Sequence, residues 1–131
     1  MKGKITMKCA VLSSIAILAV TAFATPALAD GDATAGQAIF KAKCSVCHSP
    51  EAGTNKVGPS LHGVVGRHSG SIEDYNYSPA MKGFDKVWTE DQLNTYLTNP
   101  RGVVVGTKMV FPGLKDDTDR KNLITYLATL K

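Results

Sequence analysis

The chain has 131 residues, 44% hydrophobic and 20% charged, with three cysteines and a formal charge of +4. That length holds one small domain. The excess positive charge sits at the start, on Lys2, Lys4 and Lys8, so a strongly basic surface of the kind that binds nucleic acid is not supported for the remainder.

Those three lysines precede an apolar run over residues 9–25, and Ala27-Leu28-Ala29 follows with Pro26 just before it. A basic start, an apolar stretch and an A-x-A site predict a cleaved secretory signal peptide over residues 1–29. An uncleaved membrane anchor is the alternative. Cys9 is not a lipoprotein cysteine, because Lys8 precedes it and the apolar run follows it. Cleavage after Ala29 leaves residues 30–131 as one domain, with 12 Lys+Arg (15 less the three lost) against 11 Asp+Glu, a net charge of +1. Only Cys44 and Cys47 then remain, so export serves something other than disulfide stapling.

The domain begins with a predicted helix over residues 31–47. Asp32 or Thr34 caps it, and Ala35, Ile39, Phe40 and Cys44 recur at helical spacing. Gly36 costs about 1 kcal/mol against alanine in a helix interior, which is explained if another backbone passes close by. Cys44-Ser45-Val46-Cys47-His48 then reads C-x-x-C-H, the attachment signal for a c-type haem. Each thiol adds across one vinyl group, two residues let a single turn span both vinyls, and the histidine that follows reaches the iron as an axial ligand. A thioredoxin-like dithiol needs alternating strands and helices, and a structural zinc site needs a second Cys/His cluster. The chain has neither pattern.

Residues 49–70 are rich in Gly, Ser and Pro and read as loop. Within them, the carbonyl of Pro59 can accept from the free Nδ1–H of His48. Tyr75, Tyr77, Met81 and Trp88 follow. Tyr77 and Trp88 are either plain core or donors to haem propionates that are costly to bury unpaired. Thr89 with Gln92 three residues on is a capping-box signature. It opens a helix to about Thr98, which Asn99-Pro100 stops. Residues 101–114 read as irregular. Asp116 or Asp117 caps a last helix with an apolar stripe of Leu123, Ile124, Tyr126, Leu127 and Leu130, expected to pack on the first helix near Gly36 and Phe40.

The second axial ligand comes from a short list. After residue 29 the chain holds two methionines, Met81 and Met109, and two further histidines, His62 and His68. Both histidines share the loop that must pack on the His48 side. Met109 lies in an irregular loop free to cover the opposite face, so it is the expected sixth ligand. Thioether ligation raises the potential and closes the coordination sphere. That favours electron transfer over catalysis and over gas sensing, both of which need an open site. A domain this small has a marginal core, so the apo-chain is expected to fold poorly until haem completes it. Two propionates bring the holoprotein to about neutral or slightly acidic.

Taken together, Gly36, Phe40, Cys44, Cys47, His48, the run Gly58-Pro59-Ser60-Leu61-His62-Gly63, Gly66-Arg67, Tyr77, Trp88, Leu93, Tyr96, Asn99-Pro100, Gly106-Thr107-Lys108-Met109, Phe111 and Tyr126 resemble class I cytochromes c. The likeness is to the cytochrome c2 and mitochondrial cytochrome c group and covers about residues 32–131. It implies an all-α cytochrome c fold, with N- and C-terminal helices crossing and short helices and loops wrapped around one covalent haem c. It implies a monomeric periplasmic electron carrier and not an enzyme, with Cys44 and Cys47 as thioether residues and His48 and Met109 as iron ligands. Pro59 would support His48, Arg67, Tyr77 and Trp88 would serve the propionate side, and Tyr96 and Thr107 would line the methionine side. Its partners would be larger redox proteins, with cytochrome bc1 as donor and a terminal oxidase or reaction centre as acceptor. They would dock at a haem edge ringed by Lys41, Lys43, Lys56, Arg101, Lys108 and Lys115. A dedicated electron acceptor for a periplasmic dehydrogenase is the alternative. Three positions depart from the family pattern. Val105 stands where proline is frequent, which removes a φ restraint from the ligand loop. Met81 stands near an asparagine position. The near-balanced charge implies weaker steering to acidic partners.

Overall fold

The structure, a computed structural model, describes residues 31–131. The proposed signal peptide, residues 1–29, lies outside them. Five helices follow in order: α1 (Ala33–Lys43), α2 (Pro79–Lys82), α3 (Glu90–Thr98), α4 (Pro100–Val103) and α5 (Asp117–Ala128). No strand occurs among the described residues, only one isolated antiparallel bridge between His68 and Val87. The all-α fold holds.

Local chemistry sets each helix boundary. Asp32, rather than Thr34, caps α1. Its carboxylate accepts from Thr34 N at 2.7 Å and Ala35 N at 3.1 Å, two of the amides a helix start leaves free. The helix stops four residues earlier than its apolar spacing implies. Beyond Lys43 the chain tightens into turns, with Cys47 N and His48 N both donating to Cys44 O. Thr89 caps α3 through Gln92 N at 3.1 Å, and Asp116, not Asp117, caps α5 through Asp119 N at 2.9 Å. Pro100 ends α3 and also begins α4. It sits at the first helical position, where a missing N–H costs nothing, and Asn99 caps that turn through Gly102 N at 3.2 Å. Residues 101–103, expected to be irregular, are therefore helical.

The packing is organised by α1 against α5. A Cβ on Gly36 would lie 2.6 Å from the Asn122 carbonyl carbon and 2.8 Å from Tyr126 Cβ, so only glycine lets the two backbones approach this closely. Phe40, 2% exposed, meets the Tyr126 ring at 5.5 Å. Asp32 N donates to Asn122 Oδ1 at 2.8 Å, tying the start of α1 to α5. Helix α3 packs on α5 through its buried face of Leu93, Tyr96 and Leu97.

One buried cation fastens this arrangement. Arg120 on α5 is 5% exposed. Its guanidinium donates to Asn94 Oδ1 at 2.9 Å, Leu114 O at 2.8 Å and Lys115 O at 3.0 Å, and it pairs with the Asp117 carboxylate. It thus joins α3, α5 and the strand of chain between them.

Candidate haem-binding site

The loops between α1 and α5 enclose a cavity of about 480 Å³. Cys44, Cys47, His48, Pro59, Arg67, Tyr77, Trp88, Tyr96, Thr107 and Met109 all line it. Every site residue expected from the sequence is thus brought to one space. Its remaining walls come from the core: Leu61, Val64, Leu93, Leu97, Leu123 and Leu127, with Met81 and Phe111. The hydrophobic core is built around this hollow, and a large apolar group is what would fill it.

The histidine side is set by close backbone. His48 Nδ1 lies 2.8 Å from Pro59 O, so Nδ1 carries the proton and Nε2 keeps its lone pair for a metal. Burial pushes the imidazole below its ordinary value, offset in part by the Pro59 bond, and nearby Arg67 and Lys56 push it further down. The ring is therefore neutral at neutral pH, the form that ligates. Gly58 passes directly against it. A Cβ there would sit 2.6 Å from His48 Nδ1, and Gly58 N in turn donates to Cys47 O at 2.7 Å. Burial and the neighbouring Cys47 push the Cys44 thiol up to about 11, so it stands as a thiol in the unmodified chain.

Around the methionine, Tyr96 O–H donates to Met109 Sδ at 3.3 Å and Thr107 Oγ1 accepts from Met109 N at 3.2 Å. Burial raises the Tyr96 phenol above its ordinary value, while the Thr107 hydroxyl beside it pulls the other way. The phenol stays protonated and can keep donating. Lys108 Nζ donates to Asn76 O at 3.0 Å, which anchors the ligand loop despite Val105.

The third wall carries Arg67, Tyr77 and Trp88. A short ladder between two segments of the chain aligns Arg67 and Trp88, with Trp88 N donating to Arg67 O at 2.8 Å, Gly66 N to Trp88 O at 2.9 Å and Ser69 N to Lys86 O at 2.7 Å. Arg67 donates to His62 O and Ser60 O, both at 2.9 Å, clamping the loop that carries Pro59. Trp88 rests against Tyr96 at 4.8 Å and Phe84 at 5.5 Å. Burial raises the Tyr77 phenol, and Arg67 offsets part of that rise.

The other expected residues divide. Met81 lines the cavity. His62 lines a separate hollow of about 180 Å³, and His68 Nε2 lies 3.1 Å from Asp85 Oδ1, so neither histidine reaches the main space. Of the six candidate docking cations, Lys43 and Lys108 line the opening. Lys41, Lys56, Arg101 and Lys115 do not. Lys56 Nζ donates to Ser45 O and Lys115 Nζ to Thr98 O, each at 2.6 Å. The ladder between residues 66–69 and 86–88 and the burial of Arg120 were not foreseen. Long-range backbone pairing over four residues has no periodicity, and a single arginine in a polar helix start reads as surface.

A haem c fits what is present. Two thiols, a neutral imidazole with Nε2 free and a thioether converge on one cavity, and the glycine at position 58 leaves room beside the ligating ring. No group of three or more His, Cys, Asp and Glu suited to a bare metal ion occurs among the described residues, which removes the zinc reading.

Comparison with known proteins agrees. The protein-family model described as Cytochrome c matches residues 33–131. The chain is 50% identical over 101 residues to cytochrome c2 of Rhodopila globiformis, covering 77% of this chain and 95% of that one. It is 48% identical over 99 residues to cytochrome c of Stellaria longipes (75% and 92%) and 46% over 101 residues to cytochrome c of Euglena viridis (77% and 99%). With the family matched across nearly the whole described chain and C-x-x-C-H lining the cavity, this protein belongs to the cytochrome c family of single-haem electron carriers, with one covalent haem c as its cofactor.

Proposed function

We propose that this is an exported, monomeric carrier, cleaved after Ala29, that moves one electron at a time between larger periplasmic redox complexes. By family likeness the donor is cytochrome bc1 and the acceptor a terminal oxidase or a reaction centre. The bound haem supplies the one-electron couple, and the chain does the rest. Cys44 and Cys47 hold the cofactor covalently. Pro59 and Gly58 keep the His48 ring in one orientation and one tautomer. Arg67, Tyr77 and Trp88 form the propionate wall. Tyr96 and Thr107 hold Met109 in place, and the leucines of α3 and α5 keep water out.

The observation that carries this reading is the Tyr96–Met109 contact at 3.3 Å in the cavity that His48 also lines. Met109, its thioether already oriented by that hydrogen bond, would hold the iron together with His48. With His48 and Met109 both holding the group, the chain would leave no open site for a substrate, and the group would supply one-electron transfer only.

The test is the visible spectrum of the purified holoprotein in both redox states, with a titrated potential. The expected result is a sharp ferrous c-type α band, a weak far-red ferric band that disappears in Met109→Ala, and a positive potential. A high-spin ferric spectrum with rapid carbon monoxide binding in the unaltered protein refutes Met109 ligation and the carrier function with it.

A further inference from the structure

We propose that the smaller hollow, walled by Asn55, His62 and Arg67, binds a free oxyanion of the phosphate class, and that the anion is held more tightly in the ferric protein than in the ferrous one. The binding is independent of the carrier reading above, and the redox link rests on it.

The hollow measures about 180 Å³. At about 30 Å³ for each water in the liquid, that admits a tetrahedral oxyanion together with a few waters. Its wall is rich in donors. Asn55 Oδ1 accepts from Ser60 N at 2.9 Å, which leaves the Asn55 amide hydrogens without a partner among the described residues. The His62 backbone is bonded on both sides, its N to Ser60 Oγ at 3.2 Å and its O to Arg67 at 2.9 Å, while the His62 ring bonds no described residue. Arg67 gives one hydrogen to His62 O and one to Ser60 O, so three of the five N–H groups of a guanidinium remain to be satisfied. These bonds hold the donors in place before an anion arrives, which lowers the cost of binding one.

What the wall lacks is an acid. No Asp or Glu is among the described residues that line the hollow. The described ion pairs are Arg120 with Asp117 and His68 with Asp85, so no carboxylate of the described chain pairs with Arg67. Glu51 and Glu73 stand next in sequence to lining residues, but both are exposed. Burial pushes the Arg67 guanidinium below its ordinary value, and an anion beside it relieves that penalty.

Arg67 is also the one residue that lines both this hollow and the main cavity. An anion in the hollow offsets the positive potential that Arg67 casts into the main cavity, which favours the ferric state over the ferrous. By linkage, the ferric protein then binds the anion more tightly.

The test is titration of inorganic phosphate into the holoprotein in each redox state, at fixed pH and with ionic strength held by sodium chloride, followed by magnetic resonance. Saturable shifts with one common midpoint are expected at the Asn55 amide, the His62 ring and Arg67 Nε. In the ferric protein the midpoint is expected to be about fivefold lower, at the low end of such couplings, which lowers the potential by about 40 mV at saturation. Ala52 is an exposed residue of the wall. Ala52→Glu puts a carboxylate there and is expected to raise the midpoint by about tenfold or more. His62→Ala removes one donor and is expected to raise it by roughly three- to tenfold. Shifts that grow linearly with phosphate, that appear equally at surface lysines, or that are unchanged in both variants overturn the site. Equal midpoints in the two redox states overturn the link. Vesicles of phosphatidic acid in phosphatidylcholine that capture the protein but not Ala52→Glu make the anion a lipid headgroup and overturn the free-ion assignment. A low-spin spectrum with no saturable shift refutes the site alone, and a high-spin spectrum before phosphate is added refutes the carrier reading alone.

Discussion

Replacing Gly36 with alanine tests the contact on which the fold depends. By helix propensity alone the change gains about 1 kcal/mol. In this structure the new methyl would lie 2.6 Å from the Asn122 carbonyl carbon and 2.8 Å from Tyr126 Cβ, where ordinary contact begins at 3.4 Å. Asn122 contributes backbone, which cannot rotate away, so α1 and α5 must separate by roughly 1 Å, and close-packed interiors transmit such a shift. Overpacking of this sort costs about 1–3 kcal/mol and occasionally more. Two rigid neighbours place Gly36 at the upper end, leaving a net loss of about 2 kcal/mol after the propensity gain. For a domain of this size that lowers Tm by roughly 8–16 °C. The assay is thermal unfolding of the holoprotein followed by far-ultraviolet circular dichroism. Gly83→Ala is the control. Its φ of −85° suits any residue, and the nearest atom to a new Cβ is Pro79 O at 3.4 Å, so its effect should stay within about 0.5 kcal/mol. A Gly36→Ala protein that melts within a few degrees of the unaltered one, or above it, refutes the close crossing of α1 and α5.

Two further substitutions probe other parts of the structure. Tyr96→Phe removes the hydrogen bond to Met109 Sδ, a loss of about 0.5–1.5 kcal/mol. Added imidazole should then displace Met109 with an affinity raised by roughly two- to tenfold in a spectrophotometric titration. An unchanged titration would mean that the phenol does not hold the thioether. Arg120→Met keeps the volume but strands the carbonyls of Leu114 and Lys115 and leaves Asn94 Oδ1 without its donor. The expected cost is about 2–4 kcal/mol in chemical denaturation, and a loss below about 0.5 kcal/mol would show that Arg120 is not a structural fastener.

The chemistry of the site was legible because covalent attachment imposes fixed spacing. Two cysteines and a histidine within five residues admit few other uses, and Pro59 follows from what a ligating imidazole needs on its second nitrogen. The apolar stripe of α5 and the cap at Thr89 were readable for similar reasons, as local patterns with local causes. Gly36 was readable as a violation, a poor helix residue whose explanation had to be tertiary. What escaped lacks a local signature. The end of α1 at Lys43 is set by the turn that presents Cys47 and His48, which overrides the apolar spacing continuing to Cys44. Asn99-Pro100 signals a stop and a start alike, so α4 was not visible. The ladder of residues 66–69 with 86–88, and the burial of Arg120 among carbonyls, depend on segments far apart in the chain. The lysines were visible as charges, but their ties to Ser45, Asn76 and Thr98 were not.

The bond from Asp32 N to Asn122 Oδ1 spans 90 positions. Drawing together points so far apart costs roughly 4 kcal/mol in chain entropy before any contact compensates for it. The pairing of α1 with α5 therefore acts as a clasp on one long loop, and every residue of the cavity from Cys44 to Met109 lies inside that loop. Releasing the clasp frees the whole cavity at once, while the four-residue α2 and α4 can open and reclose without disturbing it. Amides buried where α1 meets α5 should then exchange with solvent only when the entire domain unfolds, and those of α2 and α4 by far cheaper local excursions.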